Sequence, residues 1–285
     1  MLDIVLVGIM YGLTLSSIAL GLSLIFGVMK ILNIAHGEFY MMGAFALLIT
    51  MELTGLNFWL ALIPAAIIVG LLAIIFEAGL HPFYGKEPLY GLILTLGYSF
   101  FLRDAAYSFS RTTMLLPVGA GFYSIPTPLP GGFNFYGMVL PYYRFAILAI
   151  ICMLYAGLWF LVKKTKYGMH IRAATQNAEL LSSDGVNVKQ VNRLTFCIGA
   201  ALAAVAGALM GPVTTVYSDM GHEMILLAFI AVIVGGLGNI RGCLIASVVL
   251  SEIYVFLSLY LEPYWSETIL GLISMVVLLI TARRR

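Results

Sequence analysis

The chain has 285 residues, of which 62% are hydrophobic and 10% charged, with a formal net charge of +2 and a mean hydropathy of +1.03. These proportions lie outside the range of soluble globular domains and leave no charged surface suited to nucleic acid. They predict an all-α polytopic transmembrane helical bundle over residues 1 to 285, with no soluble domain left over.

Apolar runs of about 20 residues, long enough as helix to cross roughly 30 Å of hydrocarbon, recur along the chain. Spans are predicted at 3 to 27, 33 to 51, 57 to 79, 89 to 109, 144 to 162, 193 to 216, 223 to 238, 242 to 261 and 265 to 282, giving eight to nine crossings. The first run lacks the basic region of a secretory signal and exceeds a signal's apolar core, so it is expected to be a mature span. The seventh is short, and a broken crossing fits the charge pattern better than a re-entrant loop. Between the fourth and fifth spans, closely placed Pro and Gly predict an irregular, nearly uncharged loop. Cys152, Cys197 and Cys243 lie far apart within apolar segments and read as small buried hydrophobes.

Lys163, Lys164, Lys166, Arg172, Lys189 and Arg193 surround one polar stretch, and Arg283, Arg284 and Arg285 close the sequence. The excess of basic residues places both regions, and the C-terminus, in the cytoplasm. Counting back puts Lys30 and Lys86 inside, the Pro/Gly loop outside and the N-terminus outside, on the periplasmic side. FGVMKILNIAHG at 26 to 37 and VGGLGNIRG at 234 to 242 share a faint likeness, for which duplication and coincidence both stand open.

Gly199, Ala203, Gly207 and Gly211 recur every four residues, as do Gly8, Gly12 and Ser16, and are expected to let neighbouring backbones pack closely. Of the ionisable residues in or near spans, Glu77 is expected to form a local ion pair with His81 or Lys86. Arg103 and Asp104 are neighbours toward the outer end of the fourth span, and Asp219 and His222 are read as solvated in an external turn. Glu38 and Glu252 are the weak candidates for ion coupling. The four histidines and three cysteines show no metal-ligand spacing.

The most informative polar segment runs from Lys163 to Phe196. Asn177 is placed to cap a helix of about two turns, Glu179 sits in its first turn and Gly185 supplies a left-handed stop. Leu180 and Leu181 give this short helix an apolar character on the cytoplasmic face. A docking element and an ordinary basic loop are both open readings of it.

GMHIRAATQNAELLSSDGVNVKQVNRLTFCIGAALAAVAGALMGP resembles the signature of branched-chain amino-acid ABC importer permeases, matched at Gly168, Arg172, Ala173, Gly185, Val186, Asn187, Phe196 and Gly207. FGVMKILNIAHGEFYMMGAF is similar to the family's Asn-x-Ala-His-Gly-Glu segment, carried by Asn33, Ala35, His36, Gly37 and Glu38, and points to the LivH type. HPFYGKEPLYGLILTLGYSFFLRD, with Pro82, Thr95 and Gly97, and AFIAVIVGGLGNIRGCLIAS extend the likeness over nearly the whole chain. Ser182, Ser183 and Asp184 depart from the family's more apolar step before Gly185.

The resemblance implies an inner-membrane subunit of a five-part importer, with a second permease of the LivM type, two cytoplasmic ATPases of the LivG/LivF type and a periplasmic substrate-binding protein. ATP and Mg²⁺ are expected in the ATPases; this chain has no phosphate-binding loop of its own and is expected not to be an enzyme. Residues from about 163 to 192 become the coupling region, with Arg172, Asn177, Glu179, Leu180, Leu181 and Gly185 as the ATPase contact. Asn33, His36, Glu38 and Thr95 become candidates for the gate or translocation path. Orientation places the first three in the opening turns of a span entering from the cytoplasm, where they brace its mouth. Branched-chain amino acids are the implied substrates, with urea or short amides as the alternative. A self-contained secondary transporter or channel is the alternative class, and it calls for acid and base groups paired at mid-membrane.

Overall fold

The computed structural model describes residues 2–112, 121–135, 138–261 and 263–282. The predicted basic triplet Arg283 to Arg285 lies outside them. A helix stands at each of the nine predicted spans: α1 (Leu2–Met29), α2 (His36–Thr54), α3 (Phe58–Leu80), α4 (Pro88–Thr112), α5 (Tyr142–Lys164), α8 (Val188–Met210), α9 (Met220–Gly235), α10 (Ile240–Tyr260) and α11 (Pro263–Ala282). Between α5 and α8 lie α6 (Lys166–Gln176) and α7 (Ala178–Ser183). Five segments are long and apolar enough to cross a membrane: Ile4–Met29, Phe58–Phe83, Tyr142–Lys164, Val188–Met210 and Ile240–Tyr260. Helix α9, with 16 residues, is shorter.

Local chemistry sets the ends. Asn57, Asn177, Asn187 and Asn239 each accept a backbone N–H from the first turn of α3, α7, α8 and α10, so four of the described helices start at an asparagine cap. Gly55, at φ 66°, ends α2 and returns its N–H to Met51. Helix α8 starts earlier than the predicted 193 because Asn187 caps it, and it stops at Met210, just before Gly211 and Pro212. The loop expected to be irregular contains an antiparallel hairpin, β1 (Gly132–Phe135) with β2 (Met138–Pro141), in which Phe133 faces Leu140.

Helix α8 is the hub, packed against α1, α2 and α3. Its small residues explain the closeness. A Cβ at Gly199 would crowd Ile25 and the Gly21 carbonyl, and one at Gly207 would strike the Tyr40 backbone. Across the same contact, a Cβ at Gly43 would collide with Ala204. Ala203 is fully buried in this seam. Gly211 lies beyond the last turn of α8 and meets Ile125 and Val216, so it serves the contact between the segments at 121–126 and 211–219 rather than the helix pair. Gly12 admits the Val248 backbone of α10, Gly8 lies under Glu252, and Ser16 is buried with its hydroxyl on the Leu13 carbonyl.

Candidate functional site

The link between α1 and α2 determines where the polar residues of the second span lie. After Met29 the helix breaks at Lys30, whose φ of 58° no helix accommodates. Residues 30 to 35 then run non-helically back into the bundle, and Ile31 packs on Gly91 near the start of α4. The Thr95 hydroxyl replaces lost helical partners: it accepts the Ile34 N–H at 3.2 Å and lies 3.2 Å from the Leu32 carbonyl.

Helix α2 therefore begins inside the protein. His36 donates from Nε2 to the Ile18 carbonyl at 3.2 Å; because a carbonyl only accepts, that nitrogen carries the proton. Ser99 donates to Glu38 Oε1 at 2.7 Å. At 1.5 Å per residue, Ile18 lies roughly 16 Å along α1 from its Met29 end, and Ser99 roughly 16 Å along α4 from Pro88. This corrects the expectation of a brace at the cytoplasmic mouth. Asn33, His36, Glu38 and Thr95 are brought together as expected, but they are fully buried at mid-depth.

The cluster is incompletely satisfied. Asn33 Oδ1 and Nδ2, His36 Nδ1 and Glu38 Oε2 are buried and have no hydrogen-bond partner among the described residues. Beside Glu38 the backbones of Gly37 and Gly221 approach so closely that a Cβ on either would strike the other's carbonyl. The N-termini of α2 and α9 thus converge on the carboxylate, and their partial positive charge stabilises it there. Arg103, one turn beyond Ser99, pairs with Asp219 at 3.5 Å and lies over the Phe100 ring at 5.3 Å. Asp219 is therefore not a merely solvated residue. It stands at the N-cap position of α9 but gives its side chain to Arg103.

Glu77 is also corrected. Its carboxylate is fully buried and accepts from Tyr84 Oη at 2.8 Å and from Arg193 Nε at 3.3 Å, so its cation comes from α8 and not from His81 or Lys86. Burial, and then the adjoining Glu77, push the Tyr84 phenol above its ordinary range, which keeps it a donor. Sequence reasoning missed Ser99, Arg193 and Gly221 because each is defined by a neighbour remote in sequence, and Tyr84 because it reaches Glu77, seven residues back, only through the way the chain turns after α3.

At the other candidate site, Thr165 caps α6, and Gly168 lets that helix fold against the Leu161 and Val162 carbonyls. Arg172 donates to the Val162 carbonyl, tying α6 back to α5. Asn177 then caps α7 by accepting the Leu180 N–H at 2.9 Å, and Gly185 leaves it at φ 81°. The expected leucine pair divides: Leu181 is buried in the bundle core, whereas Leu180 is 63% exposed beside the exposed Glu179. Ser182, Ser183 and Asp184 are also exposed. Among the described residues, no group of three or more His, Cys, Asp or Glu is placed to hold a metal ion.

The family model described as the branched-chain amino acid transport system / permease component matches residues 2–279. The high-affinity branched-chain amino acid transport system permease protein BraD of Pseudomonas aeruginosa is 30% identical over 287 residues, covering 95% of this chain and 91% of BraD. LivH of Escherichia coli K12, named as a permease protein of the same kind of system, is 28% identical over 292 residues, 96% of this chain and 91% of LivH. A probable LivH of Methanocaldococcus jannaschii is 26% identical over 96% of this chain and 87% of its own length. The solved structure of PsaBC from Streptococcus pneumoniae in complex with Fab aligns with 96% of this chain and 89% of that chain at 13% identity, with a TM-score of 0.49.

Proposed function

We propose, from the premise that this chain belongs to the branched-chain amino acid transport permease family, that it is the LivH-type permease subunit of an ATP-driven importer in the bacterial inner membrane. It moves branched-chain or related small amino acids delivered by a periplasmic binding protein. A second permease of the LivM type completes the membrane part, and two ATPases of the LivG/LivF type bind ATP and Mg²⁺ outside this chain. The multi-pass bundle is oriented with α6 and α7 in the cytoplasm, the α2–α3 turn at Gly55 in the periplasm and the N-terminus periplasmic.

The observation that carries this reading is the build of α7. A six-residue helix cannot cross a membrane, yet it is capped by Asn177, anchored through Leu181 and stopped by Gly185, with Leu180 displayed to solvent. That is a rigid docking knob on the cytoplasmic side. A groove on an ATPase takes Leu180 and Glu179, and the buried Leu181 transmits movement of α7 to the bundle.

Uptake of labelled leucine and of labelled urea, each with unlabelled competitors, in cells lacking this chain and in cells carrying it, tests the assignment. Chain-dependent leucine uptake, competed by isoleucine and valine, is expected. Chain-dependent uptake of urea alone would contradict it.

A further inference from the structure

Helices α2, α3 and α4 bound a cavity of about 640 Å³. Its wall is a stripe of each helix, including Met42, Phe45 and Ile49 on α2, Val69 on α3, and Leu102 and Ala106 on α4. Among the described residues that line it none is charged; Thr50 and Thr54 are the polar ones, and Thr54 spends its hydroxyl on the Thr50 carbonyl at 2.6 Å. Water needs two or more polar partners to occupy such a space, and a polar solute would lose its hydration there without compensation. The cavity calls for an apolar occupant.

Its depth is that of one leaflet. Met42 lies about 18 Å from the Thr54 end of α2, Val69 about 16 Å from the Phe58 start of α3, and Leu102 about 15 Å from the Thr112 end of α4. Half of a bilayer's hydrocarbon core is about 15 Å. Thr54, Leu56 and Phe109 mark the mouth at that shared end. Beyond Val69 the helices close: a Cβ at Gly79 would strike the Tyr98 hydroxyl, and the Phe76 and Tyr98 rings meet at 5.0 Å. A helix of a neighbouring subunit crosses both leaflets and does not fit a slot that stops halfway, whereas a lipid tail is as long as one leaflet is deep.

The slot is also continuous with the lipid-facing surface. Leu53, Ile68 and Phe109 line it and are 60%, 50% and 41% exposed, so its wall runs without a break into the outer apolar faces of α3 and α4, where Ile63 and Phe101 are exposed too. In a multi-pass membrane protein such outer faces meet lipid. We propose that the slot is a lipid site that takes one acyl chain of a phospholipid from the leaflet at the Gly55 end, with the headgroup at the α2–α3 turn. The chain's methylenes supply packing that α2, α3 and α4 do not give one another, and they support α4 beyond the hydrogen bonds of Thr95 and Ser99. The site rests on the multi-pass membrane placement and is independent of which solute is carried.

The assembled transporter in nanodiscs of phosphatidylethanolamine, doped with the same lipid carrying a diazirine either at the tail end or near the glycerol of one acyl chain, tests the site. After photolysis, peptide mass spectrometry should find the tail-end probe on residues 42–46 and 102–106 and the glycerol-end probe on residues 53–56. Ala106→Trp should lower tail-end labelling of residues 42–46 about tenfold by excluding the chain, with labelling elsewhere on the transporter unchanged. Ala46→Phe, a second filling variant, should act in the same direction. Thermal unfolding shows which variants are folded, and the depth pattern on the unaltered protein decides the site even if neither is. Absence of tail-end label from residues 42–46 and 102–106, equal labelling of them by the two probes, or undiminished labelling of a folded filling variant overturns the proposal. Loss of the label on adding leucine would make the slot a solute site and overturns it as well.

Discussion

Arg193 on α8 and Glu77 on α3 form an ion pair at 3.3 Å across a sequence separation of 116 residues, with the glutamate side chain 0% exposed and the arginine 49%. The pair fixes the Leu80 end of α3 to the hub helix, close to the Asn187-capped start of α8. Because the arginine is half in water, most of the cost of breaking the pair falls on the stranded carboxylate.

Replacing Arg193 with Leu leaves Glu77 with Tyr84 alone and should destabilise the chain by about 1–3 kcal/mol. Tyr84→Phe should cost about 1 kcal/mol, and the two changes together should depart from additivity because both act on one carboxylate. Thermal unfolding in detergent measures all three. Unchanged midpoints would remove the pair from the account of stability.

Gly43 and Gly207 admit backbone where a side chain would stand, in the seam between α2 and α8. Gly43→Leu should force the helices apart at a cost of about 1–3 kcal/mol or more, lowering the yield of folded protein. Gly97→Ala makes the control, since a Cβ there meets nothing within 4 Å, and its thermal midpoint should barely move.

Helix α7, proposed as the ATPase contact, separates local stability from partner binding. Asn177→Ala removes the cap of α7 and should cost about 1 kcal/mol, seen as faster amide exchange in residues 178–183. Leu180→Arg changes an exposed side chain, so the bundle should unfold as before while co-purification of the ATPases and leucine uptake are lost. Normal co-purification by that variant would remove Leu180 from the interface.

What was legible in the sequence, and what was not, follows the range of the interactions. The cap at Asn177 and the stop at Gly185 are local hydrogen-bonding and φ requirements, so residue types alone revealed α7. The depth of Asn33, His36 and Glu38 was not legible: the sequence placed a link between the spans at 27 and 33, but nothing in KILNIA shows the chain folding back into the bundle before α2 begins. The helix break there is compensated by Thr95 on another helix. The inward orientation of Leu181 and the partner of Glu77 likewise depend on contacts made only in the assembled bundle. The strand pair at 132–135 and 138–141 had a readable signal, Phe133 and Phe135 alternating with Gly132 and Asn134 ahead of a Tyr-Gly dipeptide, which the surrounding prolines obscured.

The mid-depth cluster gives a prediction that separates folding from transport. Thr95→Val removes the hydroxyl that holds the Ile34 N–H and should lower stability by about 1–3 kcal/mol by leaving that donor buried and unpaired. Ser99→Ala removes only the donor to Glu38 Oε1 and should reduce uptake more than it reduces the unfolding midpoint. Equal losses in both measurements for Ser99→Ala would reduce the cluster to a structural brace.

Under the proposed import function, this chain conducts its substrate only when separate ATPases drive it. Proteoliposomes containing this chain with its partner permease and ATPases, loaded with ATP and Mg²⁺ and supplied externally with the binding protein, should accumulate labelled leucine. Omitting ATP or the ATPases should abolish accumulation. Leucine accumulation by this chain alone, driven by an imposed proton or sodium gradient, would contradict the account and identify a self-contained secondary transporter.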